Sequence, residues 1–189
     1  MPASIPLTIE KYWAEYAGHP YELINGQAVR IPRKEYVHEV ITSRVLMLLD
    51  VFVENQYLGS VLGNGARFAL SPYELRAADA AYVSHARLQS LQDPESFLPF
   101  APDLMVEVVS SRYTSQEIEH KAEIFLQAGS QIVWIIDPAP QLVTMLDLNG
   151  TAYTYADEDI IPMESLLPGL RIAAADFFPP LGTNLHHFH

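Results

Sequence analysis

The chain has 189 residues, is 49% hydrophobic, contains no cysteine, and carries 11 Lys and Arg against 23 Asp and Glu. That length and apolar share suit one globular domain, residues 1–189, with a sizeable core, and the lack of cysteine excludes disulfides and cysteine-ligated zinc. A formal charge of −12 argues against a broad electrostatic grip on nucleic acid, which needs clustered Lys and Arg, though not against a local, metal-assisted contact with a phosphate. The charge is uneven: beyond Lys121 the sole basic residue is Arg171, against eight acidic ones. The opening MPASIPLTIEKYW has neither the basic nor the apolar region of a signal peptide. No apolar run approaches the roughly 20 residues needed to cross a bilayer. The expectation is a soluble, cytoplasmic protein.

In chain order, Thr8 stands where it would cap a first helix running to about Tyr16, with Ile9, Tyr12, Trp13 and Tyr16 at helical spacing. Residues 21–24 and 27–31 flank Asn25-Gly26, a strong hairpin signal, and Pro32 closes that hairpin. A long helix is expected from about 35 to 55, with Val37, Val40, Ile41, Val45, Leu48, Leu49 and Phe52 as its apolar face. Short strands follow at 60–62, 66–70 and 79–84, with a turn at Ser71-Pro72. Residues 85–101 read as an irregular surface segment.

Residues 102–121, PDLMVEVVSSRYTSQEIEHK, organise the rest. Period-2 alternation predicts a buried strand on which Asp103, Glu107 and Val109 share one face. A helix from about 114 to 128 follows, ended by Gly129, with Ile118, Ala122, Phe125 and Leu126 as its apolar stripe. Lys121 borders that stripe and can lean toward the sheet. Residues 131–137 form the most apolar strand. A second hairpin, 142–148 and 151–155, turns at Asn149-Gly150. The acidic run 157–159 is a loop or helix start, 170–172 is extended, and a turn lies near 177–178. The tail, about 183–189, is expected to be disordered.

Burying a carboxylate in an apolar strand is costly unless a charge meets it. Asp79 opens one strand and Glu107 lies in the next. If the strands are neighbours, both carboxylates reach one hard cation such as Mg²⁺, which needs only one or two protein carboxylates. Such a site can polarise a phosphodiester and activate a water, with a nearby lysine orienting or deprotonating that water or stabilising charge. Each residue also has a structural reading. Glu107 and Lys121 can form a plain buried ion pair, Lys121 can instead pair with Glu117 on the helix surface, Asp79 can serve a turn, and Glu22 can face solvent. Asp103 lies roughly 13 Å from Glu107 along the strand, too far to share a metal, and reads as a cap at the strand start. Asp137 reads as a turn former before Pro138, His38 as a helix-surface histidine, and Trp134, Tyr82 and Phe68 as core.

The ordered set YELING at residues 21–26, Asp79 opening a strand, PDLMVEVVS at 102–110, Lys121, and VWIIDP at 133–138 resembles the Uma-type family of putative restriction endonucleases, within the PD-(D/E)XK nuclease superfamily. The resemblance runs from about Thr8 to Phe177. It implies a restriction-endonuclease-like α/β core, a mixed sheet flanked by helices, here with additional N-terminal and C-terminal hairpins. It implies a Mg²⁺-dependent DNA endonuclease, with Mn²⁺ as a substitute. By position, Asp79 would be the Asp of the PD element and Glu107 the acid of the (D/E)XK element, the two holding the metal. Val109 stands where that motif has Lys, and Lys121 on the following helix would supply it. Glu22 would be an accessory acid. Ala78 and Ser111 replace prolines usual in the family, without removing a ligand. The resemblance also suggests a homodimer on DNA; the apolar stretches 97–99 and 177–180 are candidate contacts. The competing expectation is a catalytically silent module of the same fold that binds nucleic acid or protein.

Overall fold

The structure is a computed structural model and describes residues 5–179. Helix α1 (Ile9–Tyr16) is followed by the hairpin β1 (Tyr21–Ile24) and β2 (Gln27–Arg30), and then by the long helix α2 (Tyr36–Asn55). Strands β3 (Gly59–Gly63), β4 (Phe68–Ser71), β5 (Glu74–Arg76) and β6 (Ala80–Ser84) lead to a short helix α3 (His85–Leu88). Strand β7 (Leu104–Val108), helix α4 (Ser115–Gln127) and strand β8 (Ile132–Asp137) form the centre, and β9 (Leu142–Leu146) and β10 (Ala152–Ala156) the last hairpin, before a 3-10 turn, Ala174–Phe177.

The main sheet has the order β10-β9-β8-β7-β6-β3. Its β7–β8 pair is parallel and the other pairs are antiparallel, the mixed sheet flanked by helices that the sequence implies. A parallel pair needs a long crossover, and α4 is that crossover. The second sheet, β2-β1-β5-β4, is antiparallel throughout. Asn25 (φ 49°) and Gly26 (φ 72°) are both left-handed, as the two-residue hairpin turn requires.

Period-2 alternation sorts β7 between two cores. Leu104, Val106 and Val108 pack with Ile41, Val45, Leu49 and Val53 of α2 and with Phe177 and Phe178. Met105 packs on the other face with Ala122 and Phe125 of α4. Glu107 belongs to that second face by parity, so the acid looks toward α4. Helix α4 begins with a capping box. Thr114 Oγ1 accepts from the Glu117 amide and the Glu117 carboxylate accepts from the Thr114 amide. Gly129 (φ 107°) follows its end. This fixes the axial position of α4, and with it the height of Lys121 above the sheet.

Several expectations need correction. Strand β5 was not anticipated; it is three residues long and carries Glu74 and Arg76, which bond to each other at 2.6 Å while buried. Thr8 holds the N-cap position of α1 without a side-chain capping bond. Residues 177–178 are not an exposed contact, because Phe177 and Phe178 lie in the core. Leu98 is buried too, and Phe97 packs edge-on against Trp13 with ring centroids 5.5 Å apart. The expected disordered tail, 183–189, lies outside the described residues.

Phe125 is fully buried between α4 and the sheet, so Phe125→Ala is expected to remove about 3–5 kcal/mol of stability. Met47→Ala, at an exposed site of α2, should cost within about 0.5 kcal/mol. Urea denaturation of both variants checks the contrast.

Candidate functional site

Extending the β6–β7 register of Ala80 opposite Val106 by one step sets Asp79 opposite Glu107. The Asp79 amide donates to the Val106 carbonyl at 3.0 Å. The Val108 amide donates to Asp79 Oδ2 at 2.9 Å, so the aspartate side chain takes a place in the ladder. His38, near the start of α2, lies with Nε2 2.8 Å from the same oxygen. A carboxylate only accepts, which assigns the proton to Nε2 and leaves Nδ1 to accept from the Thr42 hydroxyl at 3.4 Å. Asp79 Oδ2 is thereby spoken for twice, while Oδ1 faces Lys34 Nζ at 3.5 Å.

Glu107 mirrors this. Its Oε2 accepts from Lys121 Nζ at 2.7 Å. Its Oε1 faces the same Lys34 ammonium, at 3.8 Å. Lys121 therefore leans inward from α4, as its place beside the apolar stripe suggests, and does not pair with Glu117. Glu22, on β1, is buried and accepts the Ala77 amide at 2.9 Å, two residues before Asp79. It does not face solvent; it fastens the segment that delivers the aspartate and adds negative charge near Lys121.

The four residues expected from the sequence thus converge, and two more join them. His38, expected on the helix surface, is instead buried at 2% exposure. Its spacing from Ile41, Val45 and Leu49 on the buried face of α2 was the available signal. Lys34 lies in the segment between β2 and α2, where no periodicity marks it. Asp103 stays apart. It accepts from the Ser84 amide, Arg87 and Gln131 and ties the start of β7 to α3 and β8. Asp137 accepts the Ala139 amide in a turn.

The two site acids are not electrostatically alike. Burial acts to raise the Asp79 pKa, but the His38 hydrogen bond and the ammonium groups of Lys34 and Lys121 outweigh it and hold the carboxyl below its ordinary range. For Glu107, burial and then repulsion from Asp79 prevail over Lys121 and Lys34, and its pKa is pushed up to about 7. Two acids facing one another separate in this way, the better bonded keeping its charge. Burial alone would lower Lys121, but Glu107, Glu22 and Asp79 raise it, so its ammonium stays protonated.

A groove of about 1040 Å³ opens onto these groups. Arg30, Arg33, Lys34, Arg67, Arg112 and Lys121 line it, six of the chain's 11 Lys and Arg, against four acids, Glu22, Glu39, Asp79 and Glu107. Tyr12, Trp13, Tyr16 and Tyr113 form aromatic parts of its wall. The surplus of cations is local, on a chain whose overall charge is −12. Among the described residues no group of three or more His, Asp or Glu is arranged to hold a metal ion. None of their helices is long and apolar enough to cross a membrane.

The model of the Uma2 family, described as putative restriction endonucleases, matches residues 9–175. The fold is similar to the crystal structure of a putative nuclease belonging to DUF820 from Anabaena variabilis, with a TM-score of 0.78 and 19% identity over 92% of this chain and 98% of that one. A comparison with curated proteins finds no match.

Without metal, a Glu107 carboxyl favoured in its protonated form contributes stability that is complete below about pH 4.5 and is lost as pH rises through about 7. In EDTA, the thermal midpoint is expected to fall between about pH 5 and 8, and Glu107→Gln to flatten that slope. Asp79 titrates below this window and Lys121 above it.

Proposed function

Because the chain belongs to the Uma2 family of putative restriction endonucleases, we propose that it is a Mg²⁺-dependent endonuclease hydrolysing phosphodiester bonds in DNA. The observation that carries this reading is the pair of uncommitted carboxylate oxygens. Asp79 Oδ1 and Glu107 Oε1, from facing register positions, both turn toward one cationic group. Hard oxygen donors of this kind suit Mg²⁺ or Mn²⁺, and two are enough for an ion that keeps most of its waters. Bound there, the ion would polarise the phosphate and acidify a water for in-line attack.

The chain's own groups divide the remaining work. Lys121, held protonated by the acids around it, donates hydrogen bonds. It orients the attacking water and stabilises charge gathering on the phosphate oxygens, rather than removing a proton. His38 fixes Asp79 by occupying one oxygen, and Glu22 fixes the backbone leading to it. Both are positioning residues. Arg30, Arg33, Arg67 and Arg112 supply the local positive field for flanking phosphates that the whole-chain charge withholds.

Purified protein with Mg²⁺ or Mn²⁺ is expected to nick supercoiled plasmid and to stop in EDTA. Glu107→Ala and Lys121→Ala should each slow nicking by about 100-fold or more. Wild-type rates in both variants contradict the assignment. Nicking should also weaken steeply as salt rises, reflecting the arginine-lined groove.

A further inference from the structure

The two lysines at the site are held in different ways. Lys121 makes a direct hydrogen bond to Glu107 Oε2 at 2.7 Å. Lys34 stands between two acids, 3.5 Å from Asp79 Oδ1 and 3.8 Å from Glu107 Oε1. Ammonium–carboxylate hydrogen bonds are shorter, about 2.7–2.9 Å. Lys34 therefore neutralises both acids without being bonded tightly to either. Its side chain is 10% exposed and lines the groove. Its ammonium lies 5.3 Å from the centre of the Tyr113 ring, a second favourable neighbour for a cation. It is carried on a flexible four-carbon stem from the segment just before α2, outside any strand or helix.

Two nearly buried acids facing each other need a cation for the fold to tolerate them. Lys34 contacts the two oxygens that, among the described residues, no other group bonds, and these are the oxygens the proposed metal site requires. We propose that Lys34 is an exchangeable internal counter-ion: its ammonium balances Asp79 and Glu107 in the cation-free protein and yields that position when a divalent cation binds. The inference rests on the nuclease reading above. Its consequence is an ordered site. Lys121 keeps its bond to Oε2 throughout, because that oxygen is not contested. Lys34, once displaced, moves past Tyr113 into the groove and adds an ammonium to the phosphate-binding wall when the cation is present. No covalent bond forms or breaks in this exchange; one cation replaces another, and the proton that Glu107 carries without metal passes to solvent.

Calorimetric titration of Mn²⁺ into wild type, Lys34→Met and Lys121→Met tests this, together with amine labelling of Lys34 in the wild type, with EDTA or Mn²⁺, read by mass spectrometry. Lys34→Met is expected to bind Mn²⁺ on the order of tenfold more tightly than wild type, since it removes a competing charge at the contested oxygens. Lys121→Met should gain less. Lys34 should label several-fold faster with Mn²⁺ than with EDTA, while Lys121 changes little. Equal or weaker Mn²⁺ binding by Lys34→Met, or Lys34 labelling indifferent to Mn²⁺, overturns the counter-ion role and leaves the metal site standing. No Mn²⁺ binding by any of the three proteins overturns the exchange and the nuclease reading together.

Discussion

Asp79 and Glu107 face each other across the β6–β7 pair with almost no access to water. Two carboxylates so placed repel, and each is costly to bury alone. The surrounding architecture answers that constraint from three sides. Helix α4 brings Lys121, the segment before α2 brings Lys34, and α2 itself brings His38. The parallel β7–β8 pair demands a crossover, and the crossover is the helix that carries the ammonium. Fold and site are therefore one arrangement: β7 cannot hold Glu107 unless α4 lies on the face that Glu107 looks toward.

The partners are distributed unequally, and this separates the acids in character. Asp79 receives a backbone amide and an imidazole on one oxygen and remains a carboxylate. Among the described residues Glu107 has a single hydrogen bond, from Lys121, and gives way to burial and to its neighbour. A cation at the two remaining oxygens would relieve their repulsion directly. Six of the Lys and Arg line the groove, so the whole-chain charge is a poor guide to the potential a phosphate would meet there.

Much of this was legible in the sequence, for identifiable reasons. The alternation of residues 104–108 placed Glu107 on one face, Thr114 and Gly129 marked the bounds of α4, and Asn25-Gly26 and Asn149-Gly150 marked the hairpins. Lys121 could be aimed because its stripe fixes the helix rotation. Lys34 could not, because it lies outside any periodic element and its role depends on how α2 docks. His38 reads as a surface residue, the commoner place for a histidine, although its spacing from Ile41, Val45 and Leu49 puts it on the buried side. Strand β5 escaped because Glu74-Leu75-Arg76, though it alternates, is too short for a period to register, and its position depends on pairing with β1 and β4. The aromatic residues at 177–178 read as a docking patch and are core, because residues 174–178 fold back over α2.

The nuclease reading stands on whether Asp79 Oδ1 and Glu107 Oε1 together hold a divalent cation. Anomalous diffraction from crystals soaked in Mn²⁺ tests it most directly. A single strong anomalous peak is expected to bridge those two side chains and to be lost in Asp79→Ala. A soaked crystal with Mn²⁺ bound elsewhere and no peak between these two acids would contradict it.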